Sequence, residues 1–550
     1  MGASLLSRWS FIGDTVTGLL LVVYGSFLVH KVNLVTADLG RHLKNGELFI
    51  ERLQIPRTNH YSFTEPDFPV VTHHWASGAL FYLFFKLGGF AGVELFFIAL
   101  SLAAFLLFFA AASRAAGWGV AALCALLVIP LLAERTEIRP EAFSYLFAAL
   151  FFALLVRVRD GALRRRWLLV LPLLEVFWVN THIYFFLGPA IVGAFALEAL
   201  VRARLPRALT QAFVGVLALT ASAAFLNPFG FRGVLEPLTI LRDYGYRLAE
   251  NQPVWFLETL MQNPNFTIFK VVFGLVLLSF LFRLAAQVWF RREARPQSIP
   301  SFVGATPCGL ARPPAAEAFP VALFCLALGV SAMAWLQVRN FTLFGFFALP
   351  ILSANIASAF PLLIRDFREE LRMGALALAV LAVLAASSGG LQRVFPYWRE
   401  FGLGLEAANS AAADFFRTER LAGPIMNNYD IGGSLIFHFF PRERVFVDNR
   451  PEAYSVAFFQ ETYIPIQESA EKWRTAEERY NFNAIIFSHR DATPWGQQFL
   501  ISRVNDPKWV PVFVDEYAII FVKNVEQNRQ VIERHAIPRE RFGVVQRTQQ

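Results

Sequence analysis

Cysteine and charge are both scarce in this chain. The three cysteines have no paired spacing: Cys124 and Cys325 lie in apolar runs, and Cys308 lies in an arginine- and proline-containing segment. That excludes a disulfide framework and a cysteine-based metal site. Charged residues make up 17% of the 550 positions against 56% hydrophobic ones, with 58 phenylalanines, which excludes a soluble globular protein. The net charge of +8 does not point to nucleic acid. Its arginines fall in short clusters between apolar runs ("RVRDGALRRRW", "VRARLPRA", "FRREARP", "IRDFREELR"), the pattern of cytoplasmic loops. No small-residue cleavage site follows the first apolar run, so it reads as a retained helix. No internal repeat is visible.

What remains is a polytopic α-helical membrane protein surrounded by membrane lipids. A span needs about 20 apolar residues. Candidate runs lie at 11–31, 91–112, 118–134, 141–157, 167–182, 183–201, 208–226, 267–284, 318–337, 341–360 and 373–390, giving about eleven spans. The stretch "WASGALFYLFFKLGG" (75–89) is too short to span and ends in Gly-Gly. Read as a flat juxtamembrane helix, it leaves all the basic clusters and the N-terminus on the cytoplasmic side. The first loop 32–90, the loop 132–142, the turn 179–184, the long loop 227–266 and the turn 336–340 then share the external face. After about Gly390 charge becomes frequent and β-type runs ("RVFVDN", "NAIIFS", "WVPVFVD", "YAIIFVK") alternate with helical ones. Residues 1–390 therefore read as the transmembrane domain, and 391–550 as an external soluble α/β domain. The segment 293–317 reads as a proline-rich disordered connector.

The densest early ionisable cluster, "TADLGRHLKNG", follows directly on the first span. Asp38 there is a candidate base, partly desolvated at the lipid surface, with Arg41 and His42 close behind. In "ERTEIRP", Arg135 and Arg139 flank Glu137, and guanidinium forks match phosphate oxygens at the depth of a lipid headgroup. Arginines anchoring helix ends are the plain alternative. His73 and His74 raise a divalent metal ion as a cofactor candidate, although adjacent histidines rarely ligate one ion and no third ligand is fixed by spacing. Substrate hydrogen bonding is the other use for them, shared with Asn180 and His182 in "FWVNTHIY" and with Asn227, which opens the long external loop. Glu175 sits inside a span and should face protein, not lipid. Asp448 and Arg450 in "FVDNRPEAY" sit where a strand should end, as a binding loop or simply a turn.

These pieces together resemble a known group. The start "D-x-G-R-H-L-x-x-G", the middle "P-R-T-N-x-Y-S-F-T" and the end "H-H-W" of the first external loop are similar to the GT-C superfamily of integral-membrane glycosyltransferases. "EIRPEAFSYLF", "FWVNTHIYFFLGP", "AFLNPFGFR" and "MNNYDIGGSLIFHFFPRERVFVDNRPEAY" match in the same way. Within that superfamily the chain resembles bacterial members related to the lipid A aminoarabinose and protein O-mannosyl transferases. The resemblance implies a GT-C-like fold in a bacterial inner membrane. It implies a polyprenyl-phosphate-linked sugar donor, an acceptor hydroxyl on a glycan, lipid or protein, and inverting transfer with Asp38 as the base. Arg41, His42, Arg135 and Arg139 would hold the donor phosphate. Active relatives often carry a second acid near the first loop; Glu47, Glu65 and Asp67 are available here, none adjacent to Asp38. An inactive GT-C-like scaffold or accessory subunit is the rival reading. A flippase or transporter would need more polar groups along the spans than these carry.

Overall fold

The computed structural model describes residues 2–35, 38–202, 205–239, 243–293, 319–395 and 400–543; from 294 on, the proline-rich connector lies outside them. Each apolar run is helical. Among the described residues seven helices are long and apolar enough to cross a membrane: Phe11–Leu28, Trp75–Ala116, Glu141–Arg159, Ile183–Val201, Pro264–Trp289, Val338–Ala359 and Arg368–Ser387. The other four runs give shorter helices, Trp118–Leu132, Arg207–Ala223, Val321–Leu336 and Val170–Thr181. Helices of these lengths reach about 18–26 Å, short of a hydrocarbon core of about 30 Å. The chain is a multi-pass membrane protein, with seven of the expected eleven spans meeting the length requirement.

Phenylalanines build the middle of the bundle: Phe108 packs against Phe152, Phe346 and Phe347 with ring centroids 5.2–5.9 Å apart. Leu173, Leu200 and Leu381 stay exposed on the outside, as lipid-facing positions do. Glu175 is fully buried in protein with neither oxygen hydrogen-bonded among the described residues. It packs on Gly188, where a Cβ would lie 2.0 Å from its Oε2.

Helix Trp75–Ala116 is broken at Gly88–Gly89, where Gly89 takes φ 59°. The arm Trp75–Leu87 is thus a separate element from the span after it. Against this arm lies helix Leu39–Arg52, and the two backbones touch: a Cβ on Gly46 would sit 2.1 Å from the carbonyl oxygen of Gly78. On another face, a Cβ on Gly40 would sit 2.6 Å from the carbonyl oxygen of Gly433, in helix Gly432–Phe439 of the C-terminal region. Two glycines in "DLGRHLKNG" therefore let one short helix be clamped between the Trp75–Leu87 arm and the C-terminal region. Its tight clamping buries Arg41, His42, Lys44 and Asn45 together with its leucines.

The C-terminal region carries a four-stranded sheet, β1 (Ile425–Asn427), β2 (Ala484–Ser488), β3 (Trp509–Val514) and β4 (Ala518–Lys523), in the order β1-β2-β4-β3. β1 runs parallel to β2, and the other pairs are antiparallel. Three of the four expected β runs are strands. "RVFVDN" is not: Val445 makes one isolated bridge to Ser62 of the first loop, and the residues after it turn toward the membrane domain. Ser62 and Thr64 both donate to the Phe446 carbonyl, which ties this piece to the first loop instead of to the sheet.

Candidate active site

A cavity of about 500 Å³ opens where helix Leu39–Arg52, the outer ends of the bundle, the long loop after residue 227 and the C-terminal region meet. Asp38, Arg41, His42, His73, His74, Arg139 and His182 all line it. Asp38 occupies the N-cap position of helix Leu39–Arg52, where an aspartate normally accepts from the first free backbone N–H groups. Its side chain makes no such bond. The carboxylate turns into the cavity instead, with Oδ2 3.8 Å from Arg41 Nη2 and 3.6 Å from Arg139 Nη1, while Oδ1 accepts from Asn449 Nδ2.

Below Asp38 lies a lattice of arginines and acids. Arg135 spends its fork on Glu141 (3.1 and 2.9 Å) and its remaining donor on Glu250 at 2.7 Å. Arg139 gives a fork to Glu137 (3.0 and 2.9 Å) and its Nη1 to Glu250 at 3.3 Å. Arg339 donates to Glu141 at 3.1 Å and to Asn251 at 3.0 Å. Burial alone would raise the pKa of Glu250, but Arg135, Arg139 and Arg339 outweigh it and hold the carboxyl well below its usual range. The arginines were expected to await a phosphate; Arg135 is instead saturated by protein acids and does not line the cavity. Arg41 is less committed. Among the described residues its acid contact is the 3.8 Å approach to Asp38, and its buried Nε has no hydrogen-bond partner.

Four imidazoles line the same cavity. Ring centroids are 4.0 Å apart for His73 and His74, 5.2 Å for His74 and His182, and 5.4 Å for His42 and His74. Burial pushes His73 down to about 4 despite its Nδ1 donating to the Val71 carbonyl at 3.1 Å. His42 is held well below its ordinary value by burial and by the charges of Arg41 and Arg139, and His74 by burial and its neighbouring rings. These groups are neutral near pH 7 and offer N–H donors or bare nitrogens, not charge. One tautomer is set by the surroundings. The Tyr184 backbone N–H donates to His182 Nδ1 at 3.4 Å, which makes Nδ1 an acceptor; Ser144 Oγ, 2.7 Å from the same nitrogen, then donates to it, and the proton of His182 resides on Nε2. Among the described residues no group of three or more His, Cys, Asp or Glu is arranged to hold a metal ion.

Two expected substrate contacts lie elsewhere. Asn180 is a staple: its Oδ1 accepts from Trp75 Nε1 at 2.8 Å and its Nδ2 donates to the carbonyls of Val176 and Leu226. Asn227 closes its own turn, accepting from Phe229 N and donating to the Ala224 and Gly230 carbonyls. Glu47, considered as a second acid, pairs with Lys44 at 2.7 Å, and Glu65 holds Ser455. Residues not singled out as site residues complete the cavity: Glu141, Glu236, Glu250 and Arg339 from the membrane domain, and Tyr429, Asp430, Asn449, Glu452 and Arg490 from the C-terminal region. Burial, together with Asp491, raises Asp430 to about 6, and burial raises Glu452.

This architecture is shared with known membrane enzymes. The archaeal oligosaccharyltransferase AglB of Archaeoglobus fulgidus, in complex with an inhibitory peptide and a dolichol-phosphate, superposes with a TM-score of 0.54 at 10% identity, over 94% of this chain and 74% of that one. ArnT of Cupriavidus metallidurans in the apo state superposes with a TM-score of 0.50 at 13% identity, over 95% of this chain and 99% of that one. Both are GT-C glycosyltransferases. The chain has the GT-C fold. No family model and no curated protein matches the sequence, and at this identity the likeness to solved structures shows the fold alone. In this GT-C fold the cavity lies at the bundle end from which the first loop and the C-terminal region emerge.

Proposed function

We propose that the protein is a GT-C glycosyltransferase that moves a sugar from a polyprenyl-phosphate-linked donor to an acceptor hydroxyl. The observation that carries this is the Asp38 carboxylate turned away from its helix cap into the cavity, 3.6–3.8 Å from two arginines. One Asp38 oxygen takes the proton of the acceptor hydroxyl, whose oxygen attacks the anomeric carbon. The bond from that carbon to the phosphate oxygen breaks, and polyprenyl phosphate leaves with the electron pair. Attack opposite the leaving group inverts the anomeric centre. The lattice around Glu250 pairs Arg135, Arg139 and Arg339 with Asp38, Glu137, Glu141 and Glu250, so a phosphate must be met by what is left over. Arg41 supplies the charge, with His42, His73, His74 and the Nε2–H of His182 as neutral partners. His73 and His74 in this reading act through hydrogen bonds, and no step requires a metal. The acceptor is a glycan, lipid or protein.

Orientation follows from charge. In this reading the basic clusters face the cytoplasm together with the N-terminus, and the cavity and C-terminal region lie on the outer side of the inner membrane. A reporter fused after Gly402 is exported in this arrangement and one fused at Arg165 is not. The test of activity is release of polyprenyl phosphate from a polyprenyl-phosphate-linked hexose in proteoliposomes containing the native lipid extract. Wild type should release it and Asp38→Asn should be slower by several powers of ten. An Asp38→Asn protein with most of the wild-type turnover would end the proposal.

A further inference from the structure

Two motifs of the C-terminal region have no role in the mechanism above: the glycine pair of "YDIGG" and the loop "FVDNRPEAY". The structure brings both to Asp38. Gly432 packs so closely on the loop that a Cβ there would lie 2.4 Å from the Val447 carbonyl oxygen and 2.5 Å from Asp448 Cα. Gly433 leaves room for the flat amide of Asn449, which a Cβ would crowd at 3.1–3.2 Å, while its own carbonyl oxygen receives Gly40. Helix, glycine pair and loop thus form three layers, close in backbone at Gly40–Gly433 and Gly432–Val447, with the Asn449 amide lying against Gly433.

The loop itself is rigidly held. Arg450 donates a fork to Asp448 (2.7 and 2.7 Å) and a further bond to Asn59 of the first external loop at 2.8 Å; the Asp448 backbone N–H donates to Tyr454 Oη at 3.0 Å. Asp448 and Arg450 are buried, with no access to the cavity, so their pairing serves the loop's shape. Between them stands Asn449, at the cavity wall, donating to Asp38 Oδ1. The amide must face the carboxylate with its nitrogen, because its oxygen there would oppose a second acceptor. Among the described residues its buried Oδ1 has no hydrogen-bond partner, and the side chain's hydrogen bond goes to Asp38.

We infer that Asn449 is a positioning residue for Asp38: it occupies Oδ1 and fixes the carboxylate plane, leaving Oδ2, beside Arg41 and Arg139, as the oxygen that takes the acceptor proton. The C-terminal region is then part of the catalytic unit, and the glycine pair exists to let its loop reach the membrane helix. A carboxylate free to rotate would present either oxygen and spend part of its time misaligned.

The inference rests on Asp38 being the base, and a double-mutant cycle in the same hexose-release assay separates the two. Asn449→Ala should lower kcat about ten- to a hundred-fold, the worth of one hydrogen bond to a charged group, while the affinity for polyprenyl phosphate stays within about two-fold. Asn449→Asp keeps the shape, cannot donate when ionised and places like charges together, so it should be slower than the Ala variant. Gly433→Ala, which shifts the amide without removing it, should fall between wild type and Asn449→Ala. In an Asp38→Asn background, Asn449→Ala should change the residual rate no further. Additive losses, an unchanged kcat in Asn449→Ala, or an equal fall in lipid affinity would overturn the positioning role while leaving the base intact. Where the Asp38→Asn background is too slow to read, the split between kcat and affinity decides. An active Asp38→Asn protein would instead remove the base, and the inference with it.

Discussion

Glu250 offers a sharp quantitative test of the lattice. It belongs to the long loop that covers the cavity and faces Arg135 at 2.7 Å, Arg139 at 3.3 Å and Arg339 at 3.8 Å. Glu250→Gln keeps the shape and removes the charge that balances these cations. Breaking a buried pair by removing one partner costs about 3–5 kcal/mol, because the partner is left uncompensated. The Glu250 side chain is 27% exposed and its arginines keep Glu137 and Glu141, so a loss of about 2–3 kcal/mol is expected. The loop's other ties to the bundle include the Val338 N–H donating to the Gln252 carbonyl at 3.2 Å, Arg339 donating to Asn251 at 3.0 Å, and the buried side chains of Val254 and Leu257. The destabilisation should therefore appear as local opening. Hydrogen exchange of amides in 248–257 should quicken about 30- to 150-fold, with the amides of helix Phe341–Ala359 unchanged. Unchanged protection of the loop would refute the idea that ion pairing closes the cavity, and a uniform loss across the bundle would show that the loop is not a separate unit.

Other consequences follow from the same geometry. Arg41→Gln should weaken binding of polyprenyl phosphate by about 1.5–3 kcal/mol, with Arg41→Lys only partly restoring it because the fork is lost; titration of the lipid against the purified variants measures both. Arg135→Gln should chiefly destabilise the fold, visible as a lower Tm at unchanged lipid affinity, since its donors are already taken by Glu141 and Glu250. His73, whose folded pKa of about 4 lies below the ordinary 6.5, stays neutral in the folded state while the unfolded chain takes up a proton between these values. Stability from this residue is thus full above pH 6.5 and falls as pH drops to 4, by about 3 kcal/mol at most. A His73→Gln protein should show a shallower decline of Tm over that window, and an identical decline would refute the assignment.

Asp38, Arg41, His42, His73, His74, Arg139 and His182 were legible in the sequence because each stands beside an apolar run that fixes its depth, and depth alone brings them to one surface. What depth cannot reveal is which charges are spent on one another. Arg135 looked free for a phosphate because its partners Glu141 and Glu250 are known only once two helix ends and a distant loop meet. Glu250 and Arg339 were overlooked for the same reason. "RVFVDN" has the β-branched composition of a strand, yet its backbone pairs with the first loop through Val445 and then carries Asn449 to Asp38; composition reports propensity, and tertiary pairing decided otherwise. Asn180 and Asn227 illustrate the converse: polar residues at the same membrane face whose hydrogen-bonding capacity is consumed by turns and helix ends. A signal for the C-terminal contribution was present in "YDIGG", since two adjacent glycines opening a helix mark a close backbone approach, though not to what.

The central claim is that donor phosphate and base meet in this cavity, and a structure of the Asp38→Asn protein with a polyprenyl-phosphate-linked sugar bound tests it most directly. The phosphate should lie within about 3 Å of the Arg41 guanidinium, with the anomeric carbon facing residue 38 across a gap of about 5–6 Å that admits one acceptor oxygen. A lipid phosphate seated away from Arg41, with the sugar pointing out of the cavity, would contradict the account.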